Sequence, residues 1–458
     1  MDIPFNPADL LDHALREAAQ RCLPGRDFQP MVRPADPRFG DYQANGVLPF
    51  ARKAGLNPRQ VAADLCAALA ENQLLKPATA SWDIAGPGFI NFTLAADFTR
   101  DWLRTYASES DLAAGAGNRL KDRILVVDYS SPNTAKEMHV GHIRSTVIGE
   151  CLSRLLEFAG AQVLRDNHIG DWGTQFGMLI WAIKKAGWSM DGRDAATAVA
   201  ELEALYKEGN TAYQSSEEDA AAIRAELVSL QQGEPANIRI WKTITEVSWR
   251  AFEEIYRQLD VRFDEVLGES FYRDKLDRVY RELEAYGLAV ESEGALVVFH
   301  PEHPRFATQP FIIRKSDGAS NYASTDLATV LYRSEHFKAD GMFYVVDSRQ
   351  ADHFEQLFLT VGKWFEASGR PVPRLEHVAI GSVLGENGKP IKTKEGGSIK
   401  LKDLLAEAVR RAGAIVQEKN PELSPEESRE VAQTVGLGAL RYADLSQNRT
   451  SDYLFSWD

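Results

Sequence analysis

Residues 124–127 (ILVV) form a short apolar run of the kind that makes a buried parallel strand, and the segments on its C-terminal side constrain the topology. A loop rich in Ser, Pro and Asn leads into an amphipathic helix from about residue 140 to 158, with Ile143, Val147, Leu152, Leu155 and Leu156 at helical spacing. Gly160 is a natural C-terminal stop, and residues 162–165 read as the next strand. Strand, crossover helix, strand is the repeating unit of an open parallel sheet. Residues 343–346 and 378–380 offer later strands, with helices predicted at 326–336 and 351–366. From about 184 to 264 the pattern turns alanine- and glutamate-rich and helical, which predicts a helical insertion within the sheet domain.

The chain has 458 residues, enough for about three domains. Residues 1–115 alternate helix-like stretches (7–20 and 58–72) with a turn-rich PADPRFGDYQAN and close on WDIAGPGFINFTL, the pattern of a small α+β domain. A GAGN linker at 115–118 precedes the sheet domain, 116–400. Residues 401–458 form a helical segment, in which Ser424-Pro425-Glu426-Glu427 is a capping box with proline at the first helical position. Hydrophobic residues at 44% and charged residues at 26% fit a soluble globular chain. No run approaches the ~18 apolar residues of a membrane span. The acidic start lacks the basic and apolar regions of a signal peptide. Cys22, Cys66 and Cys151 stand far apart, which argues against protein-bound zinc and disulfides and for a reducing cytoplasm. The net charge of −14 means that any RNA partner must meet a locally basic surface.

The polar loop carries the chemistry. DYSSPNTAKEMHVGH, residues 128–142, lies beyond the carboxyl end of the first strand, where open parallel sheets bind ligands. His139 and His142 are three apart at the helix start and point to one side; Gly141 lets a ligand approach the backbone. Two imidazole donors above a helix N-terminus suit a nucleotide's phosphates, and Lys136 adds a cation from the same loop.

SSPNTAKEMHVGHIRSTVIG followed by DNHIGDWGTQFG closely resembles the class I arginyl-tRNA synthetases, with His139-Val140-Gly141-His142 standing where their HIGH signature stands. The resemblance runs in family order from GDYQAN through AGPGFINF to DYLFSWD. It implies an α/β fold: a Rossmann-like parallel-sheet catalytic domain with a helical insertion, an N-terminal α+β domain and a C-terminal helical segment. It also implies that L-arginine is activated with ATP, accompanied by magnesium, and transferred to tRNA(Arg) by a cytoplasmic monomer. The family pattern places Glu269 facing the arginine substrate, Tyr322 and Asp326 as the pair that binds the guanidinium, Asn133 and Gln350 at the substrate's amino and carboxylate ends, and Asp128 in a supporting place at the strand end. Gly170, Asp171 and Gln175 match the substrate wall, and His353 a nucleotide-side position. Phe39, Tyr42, Gln43 and Asn45 match the surface that meets the tRNA elbow.

Two departures bear on these expectations. The usual KMSKS loop is replaced by GENGKPIKTKEGGSIKL, where Lys392 and Lys394 are the cations for ATP. Family members without the loop lysine use the lysine before the first signature histidine, which is Lys136 here. Family members also continue past SWD into an anticodon-binding domain, whereas this sequence stops at Asp458, so weak and salt-sensitive tRNA binding is expected. A basic run of Lys392, Lys394, Lys400, Lys402, Arg410 and Arg411 is a candidate for acceptor-stem phosphates. The alternatives are a truncated paralogue that activates an amino acid without tRNA, and a non-catalytic RNA-binding module.

Overall fold

The computed structural model describes residues 3–73, 75–117, 119–385, 388 and 399–456. They divide into two compact units, Met1–Lys121 with Phe158–Gly160, and Asp122–Glu157 with Ala161–Asp458.

In the first unit, helices Pro7–Cys22, Val47–Ala54 and Pro58–Leu69 accompany a four-stranded antiparallel sheet in the order Val32–Pro34, Tyr42–Ala44, Phe89–Leu94, Thr79–Ala85. Asn6 and Asn57 cap two of these helices, each followed by a proline whose missing N–H costs nothing in the first turn. Leu11, Leu15, Leu65, Ile90 and Phe92 are buried in the core between helices and sheet. Gly115, read as linker, lies instead inside the helix Glu109–Ala116, where the Phe5 and Tyr106 rings leave no room for a Cβ.

In the second unit, four parallel strands are ordered Arg374–His377, Gly341–Tyr344, Ile124–Asp128, Gln162–Asp166. The first strand in sequence therefore has its successor on one side and a much later strand on the other. Chains leaving the two central strands diverge at this switch point and open a crevice at their carboxyl ends. The expected strand at 378–380 is corrected. The edge strand is Arg374–His377, whose Arg374 and Glu376 pair with each other, as charged residues do on an exposed edge. The apolar run comes after it, with Ile380 bridging to Asp347 beyond the strand ends.

The insertion consists of helices Ala195–Ser215, Glu217–Gln231 and Pro235–Gln258, packed with Gln175–Ala186 around Phe176, Leu179, Leu202, Leu230 and Ile244. Asp194, Ser216 and Glu234 cap their N-termini. An antiparallel meander, Ala289–Ser292, Ala295–Val298 and Phe311–Arg314, was not anticipated from the sequence. Helices Leu401–Lys419 and Pro425–Leu445 come next, the second opened by the Ser424/Glu427 capping box. The chain then returns, and Tyr453–Leu454 pairs in parallel with Val383–Leu384.

Buried Arg144, on the helix Gly141–Phe158, fastens that return. Its guanidinium donates to the carbonyls of Ser451 (2.7 Å) and Asn448 (3.1 Å) and pairs with buried Asp444 at 3.3 Å. Among the described residues, no helix is long and apolar enough to cross a membrane.

Candidate active site

The polar loop leaves the strand Ile124–Asp128 in a strained conformation. Ser130, Ser131 and Ala135 have φ of 71°, 47° and 60°, a left-handed region that ordinary side chains avoid at a cost of about 1–3 kcal/mol each. Hydrogen bonds from neighbouring elements hold it there. The Ser130 N–H donates to Ser145 Oγ (2.9 Å), that of Ser131 to Asn167 Oδ1 (3.1 Å), and that of Ala135 to Ser248 Oγ (2.8 Å). Strain so heavily supported marks a working segment.

The loop ends on the two histidines, whose ring centroids are 4.0 Å apart. The Gly141 N–H donates to His139 Nδ1 at 3.1 Å, which leaves the proton of the neutral ring on Nε2. His142 Nδ1 sits 3.1 Å from the His139 N–H and 3.2 Å from its carbonyl. Burial, then the Lys400 and Lys136 ammonium groups, lower the His139 pKa. Burial and the neighbouring His139 push His142 down to about 3. Both rings are therefore neutral hydrogen-bonding groups near pH 7, not cations.

An acidic cluster completes the crevice. Buried Asp171 accepts from the Ser270 N–H (2.8 Å) and Oγ–H (2.6 Å), which fixes the start of the turn Glu269–Lys275. Asp326 follows Tyr322 by one turn on the helix Tyr322–Glu335, which begins in an Asn321/Ser324 capping box. His353 Nε2 lies 2.6 Å from Asp326 Oδ2. Burial, then the Asp171 and Asp326 carboxylates, raise the Glu269 pKa to about 8. Partial burial of the Tyr322 phenol, then Glu269 and Asp326, raise its pKa. At the strand ends, buried Arg333 donates to Asp128 (2.5 Å) and Asp166 (2.8 Å), so the charge of Asp128 is already compensated.

One cavity of about 1030 Å³ joins these groups. His139, Gly141, His142, Asn133 and Asp128 line it from the loop and first strand, and Gly170 from the segment after the strand Gln162–Asp166. Glu269, Tyr322, Asp326, Gln350 and His353 line it from later elements. Gly170 is fixed by contact, since a Cβ there would run into Asn133 Oδ1. Asp171 lies behind the wall as the support of Glu269, and Gln175 donates to the Trp172 carbonyl at 3.2 Å, also outside the lining. Lys136 is likewise outside the lining, its ammonium on the Tyr206 ring. Lys392 and Lys394 fall outside the described residues. Sequence reasoning missed Ser131, His168 and Arg349 in the lining. DNHIGDWG carried the signal for His168. Among the described lining residues Arg349 is the one guanidinium, and Asp347 holds it at 2.7 Å. No described group of three or more His, Cys, Asp or Glu is arranged to hold a metal.

The cations of the basic run at 400–411 are paired with carboxylates. Lys400 pairs with Glu137 and Glu203, Lys402 with Glu137, and Arg410 and Arg411 with Glu407, all at 2.6–2.8 Å. Carboxylates distant in sequence as well as near ones neutralise it. In the first unit, Phe39 ends a short turn and is 50% exposed with Arg38 over its ring. Tyr42 packs against the core, Gln43 donates to Asn91 at 2.7 Å, and Asn45 is half-buried at the strand's end.

Comparison with known proteins agrees with this arrangement. Residues 110–457 match the family of class I (R) tRNA synthetase catalytic domains, and residues 8–94 match the arginyl-tRNA synthetase N-terminal domain. The chain is similar to the arginine–tRNA ligase of Erwinia tasmaniensis, 45% identical over 94% of this chain and 74% of that protein. It is similar to that of Klebsiella pneumoniae, 44% identical over 99% and 78%. The arginyl-tRNA synthetase structure from Plasmodium falciparum superposes with a TM-score of 0.74 at 27% identity, covering 100% of this chain and 77% of that one. The Thermus thermophilus arginyl-tRNA synthetase shares the fold, with a TM-score of 0.73 at 23% identity over 98% of this chain and 77% of that one. With the histidine pair, the acidic cluster and both domain matches in family order, the chain belongs to the class I arginyl-tRNA synthetase family.

Proposed function

We propose that this chain is an arginine–tRNA ligase. The arginine carboxylate attacks the α-phosphorus of ATP, forming the arginyl-adenylate as the bond to pyrophosphate breaks. The terminal hydroxyl of tRNA(Arg) then attacks the adenylate carbonyl and AMP leaves. The observation that carries the reading is a carboxylate cluster with no free cation among the described lining residues, sharing one cavity with two neutral imidazoles.

A guanidinium is planar, always charged and rich in donors, and Glu269 and Asp326 offer it the missing counter-charge. Asn133 and Gln350 hold the amino and carboxylate ends. The Nε2–H of His139 donates to a phosphate oxygen as negative charge shifts toward pyrophosphate, with the His142 ring beside it, while Lys136, Lys392 and Lys394 supply positive charge. Magnesium arrives with ATP. His353, 2.6 Å from Asp326, orients the carboxylate that meets the guanidinium. The first unit meets the tRNA elbow through Phe39, the exposed aromatic suited to stacking on a base.

ATP–pyrophosphate exchange with arginine, run with and without tRNA(Arg), tests this. Arginine-dependent exchange is expected, and it should require or strongly favour tRNA. Exchange that is equally fast without tRNA would favour the tRNA-independent paralogue, and exchange that ignores arginine would end the proposal.

A further inference from the structure

Two ammonium groups act on His139, those of Lys136 and Lys400. One helix holds both. On Ala195–Ser215, Glu203 and Tyr206 are three residues apart and share a face. The Lys136 Nζ stands 4.8 Å from the centroid of the Tyr206 ring. The Lys400 Nζ lies 2.6 Å from Glu203 and 2.6 Å from Glu137. Burial alone would raise the Glu203 pKa, but hydrogen bonds from Lys400 and Lys207 bring it to about 2, so the clamp is charged at any working pH.

The backbone ties the same groups together. Residue 400 bridges His139, the Val140 N–H donates to the Ile399 carbonyl (3.0 Å), and the Leu401 N–H donates to that of Met138 (2.8 Å). The segment bearing the first histidine and the segment at 399–401 thus form one short antiparallel ladder, and Glu203 pins its lysine from outside.

We propose that Glu203 and Tyr206 are positioning residues for arginine activation, setting where the Lys400 and Lys136 ammonium groups stand relative to His139. The proposal rests on reading the cavity as the ATP site. The two residues differ in grip, and the difference has a purpose. A carboxylate binds an ammonium firmly, which suits Lys400 as a fixed strut beside the ladder. A ring face binds it only through its quadrupole, so a triphosphate with several negative charges displaces it. Tyr206 therefore keeps the long, flexible Lys136 side chain near His139 and yields it to the phosphates. A residue without a ring leaves that chain to wander.

The experiment is steady-state ATP–pyrophosphate exchange with tRNA present, on Tyr206→Phe, Tyr206→Leu, Glu203→Gln and their combinations with Lys136→Ala. Tyr206→Phe keeps the ring and should match the unsubstituted chain. Tyr206→Leu should lower kcat by about tenfold with the arginine KM unchanged, and should cause no further loss in the Lys136→Ala background. Glu203→Gln should lower kcat in both backgrounds, because it acts through Lys400. Circular dichroism checks that each variant folds. Equal rates for Phe and Leu at 206, or a Leu effect that multiplies with Lys136→Ala, overturn the role of the helix. Failure of the unsubstituted chain to exchange at all overturns the underlying reading of the cavity.

Discussion

With Glu269 meeting the guanidinium as proposed, arginine recognition should be proton-coupled, and the size of the coupling can be worked from its surroundings. Burial and the Asp171 and Asp326 carboxylates raise its pKa to about 8. His353 faces Asp326, the Ser270 hydroxyl and the His168 ring act on Asp171, and the Tyr322 phenol stands over the cluster. At pH 7 only about one tenth of Glu269 is ionised, and about half at pH 8. A guanidinium does not titrate in this range, so it must bind the carboxylate form. Arginine binding should release about 0.9 proton at pH 7 and about 0.5 at pH 8, and affinity should rise about fivefold between them. The sign is consistent with stability. Between the ordinary carboxylate range and pH 8 the folded chain holds a proton that the unfolded chain has lost, so Glu269 favours folding less as pH rises through that window, and bound arginine reverses the effect. Titration calorimetry of arginine in two buffers of different ionisation enthalpy measures the proton count. Glu269→Gln should abolish it, and the substrate's own titration cancels in that comparison. Equal proton release in the two proteins, or none at pH 7 in the unsubstituted chain, refutes the coupling.

Three further outcomes are expected. Lys136→Ala should slow single-turnover adenylate formation more than Lys394→Ala; comparable losses would reject that division of labour. Gly149→Ala should destabilise the chain by about 1–3 kcal/mol, because the added methyl meets the buried Tyr129 ring, and an unchanged urea midpoint would contradict the packing. Arg333→Met should cost about 3–5 kcal/mol by stranding Asp128 and Asp166 in the core, read as a lower midpoint at pH 7.

What was legible in the sequence was local. The run at 124–127, the helix with Ile143 and Val147 inward and the stop at Gly160 announce the crossover unit, because each depends on neighbours a few residues away. The acidic candidates were legible only through the family pattern, since an isolated Glu or Asp says nothing of burial. The meander escaped notice because its four-residue strands alternate weakly: Ala289–Ser292 has exposed Val290 and Glu291 adjacent. The edge strand was misplaced because hydropathy favours 378–380 over a strand that begins Arg-Leu-Glu-His. The neutralisation of Lys400 depends on Glu203, 197 residues away, and no spacing rule reaches that far.

The return of the chain at residues 448–454 ties the far end of the second unit to the histidine-bearing helix. Arg144 has its guanidinium sealed inside by two carbonyls that come from beyond the final helix, with Tyr453 stacked 4.9 Å from it. An engineered stop after Leu445 would remove those acceptors and leave a buried cation half-satisfied in the very helix that carries His142. The shortest fragment able to form adenylate should therefore reach Leu454, and any swap of material downstream has to be joined after that residue.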